Sequence, residues 1–479
     1  MSDDQTTAGK DDGSTKGDIS RRDALKVTGL AAAALAAGSL GGDAAHADEG
    51  EASSAVKNPY GGGPGSGISL PNYFQPTKYI KNNNFYYPGT EDIGPDEMRV
   101  SFVGSCPWPP RRDQAGTCIM VELGNGKNFF FDLGSGSMRN ILAMGVPPAL
   151  VNDIFITHLH VDHYADLPYM LPFTASAGRF KPLRVTGPSG RTPELGTKAM
   201  VSNMKKMMQW HLEEFDTLPI GDGYEVEVNE FDWRKENDVC YQKDGVTVRH
   251  WPRSHGKDGA SAYRLDWNGL SFVWTGDGRP DELTAKYAKG ADVFVTEVQN
   301  DLARLMQLKM GYPQELYNFI IDTHHTPHYA AGHLFKEVNP RIGMVCHLEY
   351  EPTLVNEISA GIRAHWDGLF AYGAPDVVVA NITKDSVWVR DAVLAELGTI
   401  SQPSKPEQIL EMFGKDGKMP AEIVLPDPKL PREKQQDPYL REIEIDPKKY
   451  TPPDVARDLV TEFKEMKMSV EQIKKSRLR

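Results

Sequence analysis

The run His158-Leu159-His160-Val161-Asp162-His163 limits what this chain can fold into more than any other feature. It places three histidines and an aspartate within six residues. It follows Asp153-Ile154-Phe155-Ile156-Thr157, a short apolar stretch that reads as a buried strand. His158 and His160 stand two apart, so from an extended segment both side chains point the same way. Asp162 and His163 then fall on a turn that can swing to a second centre. Imidazole suits zinc and similar ions, and a carboxylate completes a harder site, so one segment can feed two metal ions. A histidine-rich surface loop is the bland reading, and the strand in front of the run argues against it.

Around this run, strand and helix patterns alternate. Strands are expected at 99–104, 117–123, 128–132, 183–186, 247–251, 261–267, 271–274, 293–295 and 342–346, although Gly343 inside the last one weakens it. Helices are expected at Glu194–Phe215, Asp301–Leu308 and His328–Lys336. The mixture predicts an α/β fold. The Met-rich stretch Lys198–Phe215 would be an amphipathic helix that packs into a core, and it could also line a pocket or pack a homodimer.

Histidine-x-histidine-x-aspartate-histidine after a buried strand resembles the signature of the metallo-β-lactamase superfamily, and further elements agree in order over roughly residues 98–392. They are Asp132-Leu133-Gly134, Ser254-His255-Gly256, Trp274-Thr275-Gly276-Asp277-Gly278 and Met344-Val345-Cys346-His347. The resemblance implies an αββα sandwich holding two divalent metal ions. His158, His160 and His255 would bind the first ion. Asp162, His163 and His347 would bind the second, and Asp277 would bridge. His250 rivals His255 as third ligand; His255 is preferred because the family pattern sets that ligand beside a glycine, just before the next strand. Diiron members usually carry glutamate at the position of His160, so His160 favours zinc, with manganese or iron as alternatives.

Further motifs are similar to the branch of ribonuclease Z and its arylsulfatase- and phosphodiesterase-like relatives. They are Gly104-Ser105 followed by Pro107, Pro109, Arg111 and Arg112, then Gly187-Pro188-Ser189-Gly190, and finally His325-Thr326-Pro327-His328-Tyr329-Ala330-Ala331-Gly332. A loose likeness extends to the metallo-hydrolase of guanitoxin-type biosynthetic clusters. In this branch a histidine held by a glutamate assists the leaving group, which assigns those roles to His325 and Glu297, with Asp162 at the reacting centre. The resemblance implies hydrolysis of a small-molecule ester, phosphodiester or sulfate ester favoured, by water activated between the metals. A lactonase or other acyl hydrolase is the alternative, and a metal-binding protein without catalysis the other. His324, His328 and His333 are expected on the surface or behind the site.

Ser20-Arg21-Arg22-Asp23-Ala24-Leu25-Lys26, a mild apolar run and Ala45-His46-Ala47 resemble a twin-arginine signal peptide over residues 1–47. That makes the export machinery a partner and the periplasm or the exterior the expected location. Residues 48–97, rich in Gly and Pro, read as a linker or strap. Residues 393–479 read as a Pro- and charge-rich extension with a terminal helix. No stretch reads as a membrane anchor. The net charge of −13 argues against a nucleic-acid partner, which needs a basic face. Cys106, Cys118, Cys240 and Cys346 are not spaced as a zinc knuckle. Specificity is expected in the loops 178–184, 213–245 and 301–322.

Overall fold

The computed structural model describes residues 84–394, apart from 109, 216–219, 300–310, 312 and 376, together with 401, 403, 408 and 412. The expected leader, most of the strap, the helix at 301–308 and the terminal helix lie outside the described residues.

Among the described residues the strands are β1 (Phe85–Tyr86), β2 (Met98–Gly104), β3 (Cys118–Leu123), β4 (Asn128–Phe131), β5 (Asp153–Phe155), β6 (Leu183–Pro188), β7 (Val226–Phe231) and β8 (Asp238–Lys243). They continue with β9 (Val246–Pro252), β10 (Ser261–Trp267), β11 (Leu270–Trp274), β12 (Val293–Glu297), β13 (Ile342–Cys346), β14 (Phe370–Tyr372), β15 (Val378–Ile382) and β16 (Val387–Ala392). The helices are α1 (Ser137–Ala143), α2 (Leu167–Ser176), α3 (Thr197–Met207), α4 (Gln209–Glu214), α5 (Glu282–Tyr287), α6 (Gln314–His324), α7 (His328–Val338) and α8 (Pro352–Arg363).

The strands form two sheets, ordered β1-β16-β15-β2-β3-β4-β5-β6-β7 and β14-β13-β12-β11-β10-β9-β8. Phe129, Phe131 and Phe155 of the first sheet meet Tyr263, Phe272 and Trp274 of the second in one buried layer. Ring centroids there stand 5.1 Å apart for Phe131–Phe155 and for Phe131–Phe272. Each such side chain contributes roughly 2–3 kcal/mol by leaving water. The outer face of the first sheet is covered by Met138 and Ile141 of α1, Leu167 and Met170 of α2, and Val201 and Met204 of α3. The outer face of the second is covered by Leu334, Phe335 and Val338 of α7 and by Ile358 and Ile362 of α8. The layers therefore run helix, sheet, sheet, helix, as expected for an αββα sandwich.

Several elements differ from the sequence expectation. The helix expected over Glu194–Phe215 breaks into a short turn, α3 and α4, because Gly196 is extended and Met208 leaves helical geometry at φ −91°, ψ 1°. Part of 213–245, expected as loop, forms β7 and β8. These are sheet-edge strands in which intermediate and exposed positions predominate, so their sequences carry Glu, Asn, Asp and Lys. Gly343 sits in a strand because Phe335 of α7 lies over it; a Cβ there would come within 2.8 Å of the ring. Phe85 and Tyr86, from the expected strap, pair in parallel with β16. All four cysteines are buried, and none is joined in a disulfide. No described helix is long and apolar enough to cross a membrane.

The topology places the site. β4, β5, β6 and β7 run parallel in one sheet, and β11, β12, β13 and β14 run parallel in the other. Asp132 follows β4, His158 follows β5, Asp277 follows β11, Glu297 ends β12 and His347 follows β13. Side chains at carboxyl ends of parallel strands converge on a shared crevice.

Candidate metal centre

Two groups of ligand atoms meet at that crevice. In the first, His158 Nε2 stands 3.0 Å from His160 Nδ1, and His255 Nε2 stands 3.1 Å from the same atom. Asp277 Oδ2 lies 3.8 Å from His158 Nε2 and 3.9 Å from His255 Nε2. In the second, Asp277 Oδ2 lies 3.4 Å from His163 Nε2 and 3.3 Å from His347 Nε2. Asp162 Oδ2 lies 3.6 Å from His163 Nε2 and 3.4 Å from His347 Nε2. Asp277 belongs to both groups, which is the arrangement a bridging ligand requires.

These residues fit metal ions. Atoms about 2.0–2.2 Å from a common tetrahedral centre would stand about 3.3–3.6 Å apart, close to the separations in both groups. His163 Nε2 and Asp277 Oδ1 are buried and have no hydrogen-bond partner, a costly arrangement unless something else meets them. The imidazoles are also held from behind. His163 Nδ1 donates to Asp132 Oδ2 at 2.9 Å, and His255 Nδ1 donates to the His324 carbonyl at 2.5 Å. Such outer hydrogen bonds fix tautomer and ring orientation.

Asp132 is the hub of this support. Its Oδ1 accepts from the Thr157 backbone N–H at 2.8 Å, and its Oδ2 accepts from the Trp274 indole N–H at 2.8 Å. Two residues later Gly134 lets the metal loop pack closely: a Cβ there would stand 2.4 Å from the Asp162 carbonyl. His347 sits at φ +50°, a left-handed conformation disfavoured for histidine and tolerated where the surroundings hold it. Gln299 helps, donating from Nε2 to the His347 carbonyl at 2.9 Å.

The charge environments of the two groups differ. Burial, together with the neighbouring imidazoles, holds His158 well below the usual histidine range, and burial lowers His255 to about 4. In the second group burial opposes charge too, but Asp277, Asp162 and Glu297 outweigh it and raise His347 to about 10. Burial likewise opposes ionisation of Asp277, and His347 and His163 overcome it, holding the carboxyl well below its ordinary value.

Beside the second group His325 Nδ1 stands 2.7 Å from Glu297 Oε2 and 3.9 Å from Asp277 Oδ2. Glu297 is fully buried and its Oε1 accepts from the Gly278 N–H at 2.6 Å. Burial works against a charged His325, yet the Glu297 carboxylate outweighs it and raises the histidine pKa.

The nine residues singled out from the sequence thus come together at one crevice. His250 does not. It is buried in β9 with its ring 3.7 Å from that of Phe231, and neither ring nitrogen has a hydrogen-bond partner. His324 contributes through its backbone carbonyl, and His333 is exposed on α7. The sequence reading missed Thr157, Trp274 and Gln299 as supporting residues. Only Trp274 carried a signal, as the start of the Trp-Thr-Gly-Asp-Gly stretch.

A cavity of about 500 Å³ adjoins the first group. His158, His160 and His255 form one wall, and Leu195, Met200, Met204 and Met207 form another. Among the described residues that second wall is supplied by α3 and the turn before it, and much of the expected specificity loop 301–322 lies outside the described residues.

Residues 111–174 match the family model described as metallo-beta-lactamase superfamily, a segment that contains Asp132 and the whole His158–His163 run. Ribonuclease Z from Mycobacterium marinum is 27% identical over 281 residues, covering 57% of this chain and 92% of that protein. Ribonuclease Z from Methanocaldococcus jannaschii is 30% identical over 159 residues, covering 33% of this chain and 44% of that protein. Among solved structures, the metallo-beta-lactamase fold protein YhfI from Bacillus subtilis aligns with a TM-score of 0.43 at 16% identity, covering 61% of this chain and all of that one. The short form of human tRNase Z aligns with a TM-score of 0.41 at 17% identity, covering 52% of this chain and 92% of that one. The family match places a metallo-beta-lactamase superfamily segment at residues 111–174 of this chain, and the similarity to ribonuclease Z extends that likeness over 281 residues.

Proposed function

We propose that this chain is an exported dinuclear metallo-hydrolase that cleaves a small-molecule ester, a phosphodiester or a sulfate ester. The observation that carries the reading is the His325–Glu297 pair, 2.7 Å apart at the edge of the two ligand groups. When bound, two divalent metal ions supply Lewis-acid activation of water and of the scissile group. Zinc suits the histidine-rich first group, with manganese and iron as alternatives.

The residues divide the remaining work. His158, His160 and His255 would hold one ion, Asp162, His163 and His347 would hold the other, and Asp277 is shared by both groups. Asp132 keeps the His163 proton on Nδ1, so that Nε2 presents its lone pair to the second centre. Glu297 accepts from His325 Nδ1 and favours the charged imidazole, so Nε2 carries a proton to give to the departing oxygen. This help matters most where expulsion of a poor leaving group limits the rate, as in phosphate and sulfate esters, and less where attack on an acyl carbon limits it, which is why the former are preferred over lactones.

The likeness to ribonuclease Z supports phosphoester chemistry. The net charge of −13 speaks against a long polyanion as substrate, and the Arg21-Arg22 leader supports action outside the cytoplasm. The test is to assay the metal-loaded mature chain with bis(p-nitrophenyl) phosphate and p-nitrophenyl sulfate, beside Asp277→Ala. Metal-dependent cleavage of either, lost in the variant, is expected. No cleavage of either with two metals bound would move the chemistry to lactone, amide or thioester substrates.

A further inference from the structure

The cavity lies on one flank of the centre. Its walls include His158, His160 and His255 of the first group, but not Glu297, His325 or His347. In an in-line displacement the attacking oxygen and the leaving oxygen lie roughly opposite each other, and other substituents project to the sides. If His325 serves the leaving oxygen, a substrate group in this cavity is on the other flank. It is therefore a group that stays attached to the reacting centre after the bond breaks.

The wall says what kind of group. Met200, Met204 and Met207 come from successive turns of α3, and Leu195 from the turn before it. Met207 is 71% exposed and Leu195 is 40% exposed, so both present apolar surface at the cavity that the fold itself does not cover. Thioethers are flexible and polarisable, and they adapt to flat or branched apolar shapes. About 500 Å³ is within the usual size of small-molecule sites.

We propose, on the ester-hydrolase reading above, that this cavity binds an apolar arm retained on the product, so that the substrate is a phosphodiester with an aryl or branched alkyl arm. A sulfate monoester has one organic arm, which departs, and it would leave the cavity unfilled. Met207 and Leu195 are then specificity residues, reading the arm and taking no part in bond breaking.

Two measurements separate the parts of this inference. The first is calorimetric titration of the zinc-loaded chain with phenylphosphonate and with methylphosphonate, which carry the two arms on a bond that is not hydrolysed. Phenylphosphonate should bind about tenfold tighter or better, in line with what apolar pockets discriminate. The double variant Leu195→Asn, Met207→Asn should lose most of that preference and keep its affinity for methylphosphonate. Both sites are exposed, so the fold should tolerate the changes. Equal affinity of the two ligands, or a preference unchanged in the variant, overturns the cavity assignment.

The second is turnover of phenyl p-nitrophenyl phosphate against methyl p-nitrophenyl phosphate, which share one leaving group. A kcat/KM ratio of about ten or more in favour of phenyl is expected, and a ratio near one overturns the diester assignment. Cleavage of neither, with the phenyl preference intact, overturns the ester chemistry itself and not the class of group the cavity holds.

Discussion

Trp274 and His163 meet on one oxygen atom. The indole N–H of Trp274 reaches Asp132 Oδ2 at 2.8 Å, and His163 Nδ1 reaches the same atom at 2.9 Å. Asp132 is thus an anchor that aims a histidine of the second ligand group while tying it to the neighbouring sheet. Asp132→Asn puts an amide where either Oδ1 or Oδ2 must face N–H donors with a donor of its own. Metal affinity should fall about 10- to 100-fold, the usual cost of losing such a partner. Competition titration with a chromogenic chelator measures it, and unchanged affinity would show that Asp132 only shapes the turn.

His325→Ala should lower turnover about 10²- to 10⁴-fold, the range of a general acid, while two metals remain bound. The deficit should grow with the pKa of the leaving alcohol, since a good leaving group needs no proton. Metal analysis beside a series of substituted phenyl esters checks both. Loss of a metal equivalent would instead make His325 a ligand, as its 3.9 Å separation from Asp277 Oδ2 would then allow.

His250 gives the chain an acid-side liability separate from the metals. Burial lowers its pKa from 6.5 to about 4. With the folded value depressed, its stability contribution is complete above pH 6.5. It is lost as pH falls toward 4, because the unfolded chain takes up the proton first. Between pH 7 and pH 4.5 this amounts to about 2–3 kcal/mol. The urea stability of wild type minus that of His250→Phe should fall by that amount over the window. A difference independent of pH would refute the buried neutral imidazole.

The thiols should be silent in the native protein. Burial raises the pKa of Cys106 to about 12 and pushes up those of Cys118, Cys240 and Cys346. Ellman's reagent should find almost none in the folded chain and four in denaturant without reductant, because none of the four is joined in a disulfide. Two in denaturant would reveal a disulfide.

If Arg21-Arg22 is the export address proposed above, replacing both by lysine should hold the protein in the cytoplasm of a bacterial host. Fractionation and blotting would show it. Export that continues unchanged would remove the twin-arginine reading.

How far the chain could be read in advance depended on the range of the interactions concerned. His158, His160, Asp162 and His163 were legible because six consecutive residues impose their own geometry. His255, Asp277 and His347 were named only through the resemblance to the metallo-β-lactamase pattern, which expects a ligand beside a glycine, then one after each of two later strands. The edge strands β7 and β8 were not, since half-exposed strands carry polar residues and look like loop. The choice between His250 and His255 also needed the fold. Five residues apart, one lies within β9 facing Phe231 and the other lies beyond its end.

By itself the sequence determined the chemistry available: an α/β chain with a dense ligand run and the donors for two metal ions. Local periodicity and ligand type are properties of neighbouring residues, so they survive without coordinates. Only the tertiary structure decided that Asp277 faces both ligand groups, that Asp132 joins Trp274 to His163, and that the Met200–Met207 face of α3 walls a cavity. Each of these depends on sheets brought together by apolar burial, between residues tens to more than a hundred positions apart. No local pattern records such a meeting.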